Sequence, residues 1–281
     1  MRIMSNNQWK WDHNLPNWEA RGEDCSAEAR EKGFAEIYKK TQPDIIGFQE
    51  VSPLMLDELT MNLNAMGLKY TALWGKDTPI LYRSELFSVE DQAFDLYPEE
   101  CPGYSGCFNN SRTKSWNMAV LREKKSGKPL LMTSTHLWWK SDDPANAHYQ
   151  EGSGAARVYQ MDMITDRIIA WQEKYGCPAV LVGDMNCEYR SDPIELAFRK
   201  GFIHGNDAAK EYAYPYNGYH WCGPDGYVPY EPKPFEQAID HVLIRPAPNG
   251  EMPDISRFDR YVGNDYLPLS DHFPAWIDME L

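Results

Sequence analysis

The chain has 281 residues, 42% of them hydrophobic and 25% charged, a mix that excludes a fibrous or disordered protein and suits one large globular core. Asp and Glu number 42 against 28 Lys and Arg, a formal net charge of −14 at pH 7. That balance excludes a surface built to coat duplex DNA or anionic membrane, but not a small cationic or metal-charged pocket for one phosphate.

No run of roughly 18 apolar residues is present, so no membrane-spanning helix is expected. Met1-Arg2-Ile3-Met4-Ser5-Asn6 lacks the apolar core and cleavage site of a secretory signal, which predicts a cytoplasmic protein; an extracellular one would require a signal removed upstream. The six cysteines, Cys25, Cys101, Cys107, Cys177, Cys187 and Cys222, form no C-x-x-C or zinc spacing and read as free thiols, although oxidation of Cys101 and Cys107 would close a short loop.

In chain order, Met1–Gln8 reads as a strand, followed by a polar loop with Trp9, Trp11 and Trp18 that runs to Asp24. Phe34, Ile37, Tyr38 and Thr41 fall at helical intervals and stop at Gln42-Pro43. Asp44–Gln49 is a short strand, Leu56, Leu59, Leu63 and Met66 line a helix, and Tyr70–Trp74, Pro79–Tyr82 and Leu86–Leu96 are further strands. Cys101–Thr113 is a loop. Ser115–Arg122 and Pro129–Thr135 form a strand pair, and a loop carrying Trp138, Trp139 and Lys140 leads into a helix over Ala155–Tyr175. After the strand Ala179–Val182, Asp192-Pro193 predicts a helix start with Asp as N-cap. Tyr212–Pro234 reads as a long loop, and Ala238–Ile244 and Phe273–Met279 close the chain as strands. About ten strands with few helices, unevenly interleaved, predict one α/β domain over residues 1–281, with two packed sheets and helices outside.

The chemistry-bearing residues cluster at strand termini: Asn7, Glu50, His136, Asp184 with Asn186, Asp240, and Asp271 with His272. Each has an ordinary explanation as a turn residue, an Asx turn or a satisfied loop histidine. Asp240 just inside a strand is costly unless paired, and a pairing with His272 would account for both. Together, four acids, two histidines and two amides at strand ends repel one another unless a cation joins them, and oxygen-rich donors favour Mg²⁺ or Mn²⁺ over zinc.

The ordered motifs N…QE…TH…GDMN…IDH…SDH, from Asn7 to His272, resemble the endonuclease/exonuclease/phosphatase superfamily of metal-dependent phosphoesterases, and Pro79–Arg83 with Phe87 is similar to that family's third-strand hairpin. The resemblance implies a DNase I-like four-layer α/β sandwich, with two mixed β-sheets face to face and flanked by helices. It implies that Glu50 binds the divalent metal with Asn7 beside it and Asp271 near the metal or its waters. Asp184 would orient or deprotonate the attacking water and Asn186 would hold it in line. His272, polarised by Asp240, would contact the scissile phosphate, and His136 would bind phosphate or assist the leaving oxygen. The family often has Tyr where this chain has His241; that side chain should point to the opposite strand face from Asp240 and alter packing, not catalysis.

His136-Leu137-Trp138-Trp139-Lys140 followed by Arg157-x-x-Gln160 is similar to the branch of deadenylases and nucleotide phosphatases. On that reading Lys140 and Arg157 clamp a second phosphate, Asn117 lines the pocket, and Trp138 and Trp139 stack on a base or sugar. The function expected is Mg²⁺- or Mn²⁺-dependent hydrolysis of a phosphodiester in a small or single-stranded nucleotide. The alternatives are a phosphomonoesterase on inositol or sugar phosphates, a sphingomyelinase-like phosphodiesterase, and a binding module without turnover.

Overall fold

A computed structural model describes residues 1–10, 20, 22–212 and 238–281. Trp11, Trp18, Cys222 and nearly all of the predicted 212–234 loop lie outside the described residues. The strands are β1 (Arg2–Asn7), β2 (Ile45–Gln49), β3 (Tyr70–Leu73), β4 (Ile80–Arg83), β5 (Phe87–Leu96), β6 (Ser115–Glu123), β7 (Pro129–His136), β8 (Ala179–Asp184), β9 (Ile203–His204), β10 (Glu211–Tyr212), β11 (Asp240–Arg245), β12 (Asp254–Arg260) and β13 (Ala275–Glu280). The helices are α1 (Ala27–Thr41), α2 (Pro53–Ala65), α3 (Ser153–Tyr175), α4 (Asp192–Arg199) and the single turn α5 (Gly205–Ala208). None of the described helices is long and apolar enough to cross a membrane.

Two sheets result, in the orders β10-β12-β13-β1-β2-β4-β3 and β5-β6-β7-β8-β11-β9. Both are mixed: β1 runs parallel to β2 and β7 parallel to β8, while β11 and β13 run antiparallel to their neighbours. The strand period decides which side chains go where. Ile3, Ile45 and Ile277 face Met132, Val180, Val182 and Val242 between the sheets. Their neighbours Met4, Ile46 and Phe48 turn outward beneath Phe34, Tyr38, Leu59 and Leu63 of α1 and α2. On the far side Leu131, Leu181 and Leu243 turn outward beneath Met161, Ile164 and Ile168 of α3 and Ala197 of α4. The result is the expected four-layer α/β sandwich of two mixed sheets.

Three details differ from expectation. Ser191, not Asp192, occupies the N-cap of α4, and Asp192 and Pro193 are its first helical residues. β12 has no clean alternation in sequence because a bulge between Ile255 and Arg257 shifts its register against β13. The two-residue strands β9 and β10 are too short to leave a periodic signal. The five described cysteines are free, including Cys101 and Cys107.

His241 points away from Asp240, as expected: its Nε2 donates to the Cys187 carbonyl at 2.8 Å and its Nδ1 lies 3.1 Å from His204 Nε2. Both rings are fully buried. Burial pushes His241 down to about 4 and His204 well below the usual imidazole value. The unfolded chain therefore takes up protons below about pH 6.5 that the folded chain refuses, so stability present above that pH is lost as pH falls toward 4. His241→Gln should reduce this acid sensitivity. The wild-type-minus-variant unfolding free energy should fall by about 2–3 kcal/mol between pH 7 and 4, measured by urea titration; a difference independent of pH would show that His241 is not buried neutral.

Candidate active site

Strand direction collects the site at one rim. β1, β2, β7 and β8 finish there with Asn7, Gln49 leading to Glu50, His136 and Asp184. The antiparallel β11 begins there with Asp240, opposite Asp184 in register, and the loop before β13 brings Ser270, Asp271 and His272. Gly183 is obligatory beside this rim: a Cβ there would stand 2.1 Å from the Thr135 carbonyl oxygen, so a side chain would part β7 from β8. Glu50 and Asn186 both hold positive φ, +59° and +50°, a backbone cost that non-glycine residues bear mainly where a side chain must be aimed.

Asn7 Nδ2 donates to Asp184 Oδ2 at 3.0 Å and to Glu50 Oε1 at 3.4 Å. The Asn186 backbone N–H donates to Asp184 Oδ1 at 3.0 Å, and its side-chain amide donates to the Leu137 carbonyl, which leaves its Oδ1 as an acceptor. His272 Nδ1 lies 2.8 Å from Asp240 Oδ2, the pairing inferred from sequence, and Ser270 Oγ accepts from the His272 N–H while donating to the Asn7 carbonyl. His136 Nε2 is 3.4 Å from Asp184 Oδ2 and 3.8 Å from Glu50 Oε1. All eight residues expected at the site from sequence are therefore assembled.

Burial raises the Asp184 carboxyl to about 7, with Asp240 and Glu50 adding to the rise and His272 and Lys114 opposing it. Asp271 is likewise pushed up to about 6 by burial. Burial opposes the charge on His272, but Asp240 and Asp271 outweigh it and hold the imidazole well above its usual value. A carboxyl that resists ionisation thus faces a histidine that stays protonated, a divergence of the kind found at acid–base sites.

The donor set suits a divalent cation. Glu50, His136 and Asp184 present ligand atoms within 4.8 Å of one another. Asp271 Oδ1 is buried and accepts no hydrogen bond. Among the described residues, the carboxylates Glu50, Asp77, Asp184 and Asp271 share the cleft with Lys10, Lys114 and the protonated His272, and the oxygen donors among them suit a hard, oxygen-seeking ion.

The cleft has a volume of about 740 Å³, within the range of small-ligand sites. Sequence reasoning missed several of its walls. Lys114 is fully buried, its Nζ 2.5 Å from His136 Nε2, and burial lowers its pKa while Glu50, Asp184 and Asp77 oppose that. Its signal was a lone cation entering the all-buried run 115–121, on a strand antiparallel to β7 and so beside His136. Asp77, Ser141, Asn146 and His148 also line the cleft.

Of the five residues expected to contact substrate, Trp139 lines the cleft, and Trp138, Arg157, Lys140 and Asn117 are not among its lining residues. Trp138 is fully buried against Phe108 and donates from its indole to Ser153. Arg157 donates to the Lys140 carbonyl at 2.6 Å and so braces the loop. Lys140 lies over the Trp138 and Trp139 rings. Asn117 donates to the Leu73 carbonyl and accepts from Gln92.

The model of the Endonuclease/Exonuclease/phosphatase family matches residues 17–272. The chain belongs to that family. Its fold is shared by a Bacteroides thetaiotaomicron mannosyl-6-phosphatase, with a TM-score of 0.73 at 19% identity over 100% of both chains. D. rerio TDP2, solved with a single-strand DNA product, has a TM-score of 0.66 at 15% identity over 100% of this chain and 99% of that one. The human Nocturnin catalytic domain with bound sulfate has a TM-score of 0.62 at 16% identity over 100% and 94%. No curated protein sequence matches. Members of that family hydrolyse phosphoesters and are typically divalent-metal dependent.

Proposed function

We propose that the protein is a Mg²⁺- or Mn²⁺-dependent, cytoplasmic hydrolase of small phosphate esters and that it prefers monoesters. The observation that carries the hydrolase reading is the convergence of a buried carboxylate, Asp184, and a buried histidine–aspartate pair, His272–Asp240, on one cleft. Glu50, with Asn7 and Asp271 beside it, would hold the cation, which when bound supplies charge neutralisation at the phosphate. Asp184, oriented by Asn7 and Asn186, takes a proton from water as its oxygen forms the new P–O bond. His272 donates from Nε2 to a non-bridging oxygen as charge builds there. His136 would assist the departing oxygen; the ester P–O bond breaks with its electron pair on that oxygen, which takes a proton from solvent water, and Asp184 returns its own proton to solvent.

Lys114 favours the monoester. A terminal phosphate bears nearly two negative charges and a diester one, and a fully buried ammonium beside His136 adds one positive charge to the cation's. The diester of a small or single-stranded nucleotide is the second reading, supported by the aromatic surfaces of Trp9 and Trp139 on the cleft.

Hydrolysis of p-nitrophenyl phosphate and bis-p-nitrophenyl phosphate should be compared with Mg²⁺, Mn²⁺ or EDTA. The expected result is metal-dependent turnover with the monoester ahead. Lys114→Met should raise KM for the monoester about tenfold and for the diester much less. Diester preference would promote the second reading, and absence of turnover on both would remove the hydrolase reading.

A further inference from the structure

Asp271 and His272 stand on the loop between β12 and β13, outside either sheet. Side chains join this loop to the end of β1. Asn6 Nδ2 donates to the Tyr266 hydroxyl at 2.6 Å, and Ser270 Oγ donates to the Asn7 carbonyl at 2.8 Å. A further tie comes from helix α1.

Arg30 projects from the first turn of α1 and is only 1% exposed. Its Nε and Nη2 donate to the Leu269 carbonyl at 3.0 and 2.6 Å, and Nη2 also donates to the Gln8 carbonyl. Gln8 directly follows Asn7, and Leu269 directly precedes Ser270. One planar group is therefore bonded both to the strand end that carries Asn7 and to the loop that carries Asp271 and His272. The helix also fits Leu269 closely. One turn on from Arg30, a Cβ at Gly33 would stand 2.4 Å from Leu269 Cδ2, so the leucine side chain lies against bare helix while Arg30 holds its carbonyl. The guanidinium carbon is 6.0 Å from the Phe34 ring centroid, and Phe34 meets Tyr266 edge-on at 5.7 Å.

Burial works against the Arg30 charge, and Glu31 and Asp271 sustain it. A buried charge is a weak device for stability alone, because a well-packed apolar side chain often serves as well. What a guanidinium adds is a rigid fork of donors, which fixes the approach of its acceptors more tightly than an ammonium on a flexible stem.

We propose that Arg30 is a positioning residue of the candidate site: its guanidinium sets the separation between Asn7 at the end of β1 and Asp271 and His272 on the β12–β13 loop. The proposal rests on the phosphoesterase reading above and adds to it a residue that touches neither substrate nor cation. A misplacement of about 1 Å can cost about a hundredfold in rate. The effect should therefore appear in turnover and cation affinity more than in KM.

The test compares wild type, Arg30→Lys, Arg30→Met and Ile164→Ala. Ile164 lies in the core beneath α3, on the other sheet, and its truncation supplies a destabilised protein with an untouched rim. Turnover of p-nitrophenyl phosphate at saturating Mn²⁺, and Mn²⁺ binding by calorimetry, are read below the melting midpoint of every variant. Arg30→Met should lose about a hundredfold in kcat and Arg30→Lys about tenfold, with KM within about threefold of wild type. Mn²⁺ should bind about tenfold more weakly to Arg30→Met, while Ile164→Ala melts earlier yet keeps kcat and Mn²⁺ affinity. A folded Arg30 variant with wild-type kcat, a loss carried by KM alone, or an equal loss in Ile164→Ala overturns the proposal and leaves the hydrolase reading standing. If Arg30→Met does not fold, Arg30→Lys, which keeps the charge, decides on the same terms. If wild type turns over no phosphoester, the hydrolase reading fails and Mn²⁺ affinity decides: weaker binding confined to the Arg30 variants sustains the positioning role, and unchanged binding overturns it.

Discussion

Asp184→Asn is expected to lower kcat by about three orders of magnitude, the scale of losing a positioned general base, while the folded state survives. The substitution keeps size and shape and removes only the ability to take a proton. Asp184 sits where β8 ends, bonded by the side chain of Asn7 and the backbone N–H of Asn186. An amide oxygen can accept one of those bonds at full strength but not both through two oxygens, so the geometry loosens slightly. Against that, burial already disfavours the carboxylate, and a neutral group there relieves that cost. The thermal midpoint should stay unchanged or rise. The check is kcat at saturating metal, with circular dichroism on the same preparation; a variant that keeps more than about a tenth of wild-type kcat would remove Asp184 from the base role.

His272→Ala should cost about as much, with Asp240→Asn intermediate at about a hundredfold. His272 reaches the cleft through a chain of contacts. Ser270 fixes its backbone, Asp240 Oδ2 pairs with Nδ1, and Nε2 lies 3.8 Å from Asp271 Oδ1 at the cleft. Removing the ring deletes the donor. Removing only the Asp240 charge keeps the ring but lets its proton and orientation drift. The distinguishing measurement is the ratio of the two variants in kcat/KM, because equal losses would mean that the imidazole works only while Asp240 holds it. His272→Ala also leaves Asp240 unpaired and buried, so His272→Gln, which retains a donor, belongs beside it as a check on folding.

The site was readable in the sequence to the extent that its residues are strand punctuation. Asn7, Glu50, His136, Asp184 and Asp240 each stand where an apolar run starts or stops, and parallel strands must bring such ends to one rim. Trp138 and Trp139 show where that logic stops. Adjacent in sequence and alike in chemistry, they face opposite ways, because a loop has no period to assign sides; one is core and the other lines the cleft. Arg157 misleads for a related reason, since a buried guanidinium held by backbone carbonyls and the Asp142 carboxylate reads in sequence like a phosphate clamp. Lys114 was hidden by its place at the end of an irregular loop, and only the pairing of β6 with β7 sets it against His136. In the fold, β12 escaped because its bulge breaks the alternation that identifies a strand.

The residues of the candidate site are divided between the two sheets. Asn7, Glu50, Asp271 and His272 come with one sheet, and His136, Asp184 and Asp240 come with the other. What holds the halves in register is the apolar seam between them, where Gly47 leaves no room for a Cβ, which would meet Val182 Cγ2 at 2.4 Å. Catalytic competence is thus a readout of inter-sheet distance. A methyl group added deep in the seam, far from any phosphate, would open the rim like a hinge and detune the reaction while every catalytic side chain stayed intact. Selection on turnover would reach these core positions as surely as the residues that touch the substrate.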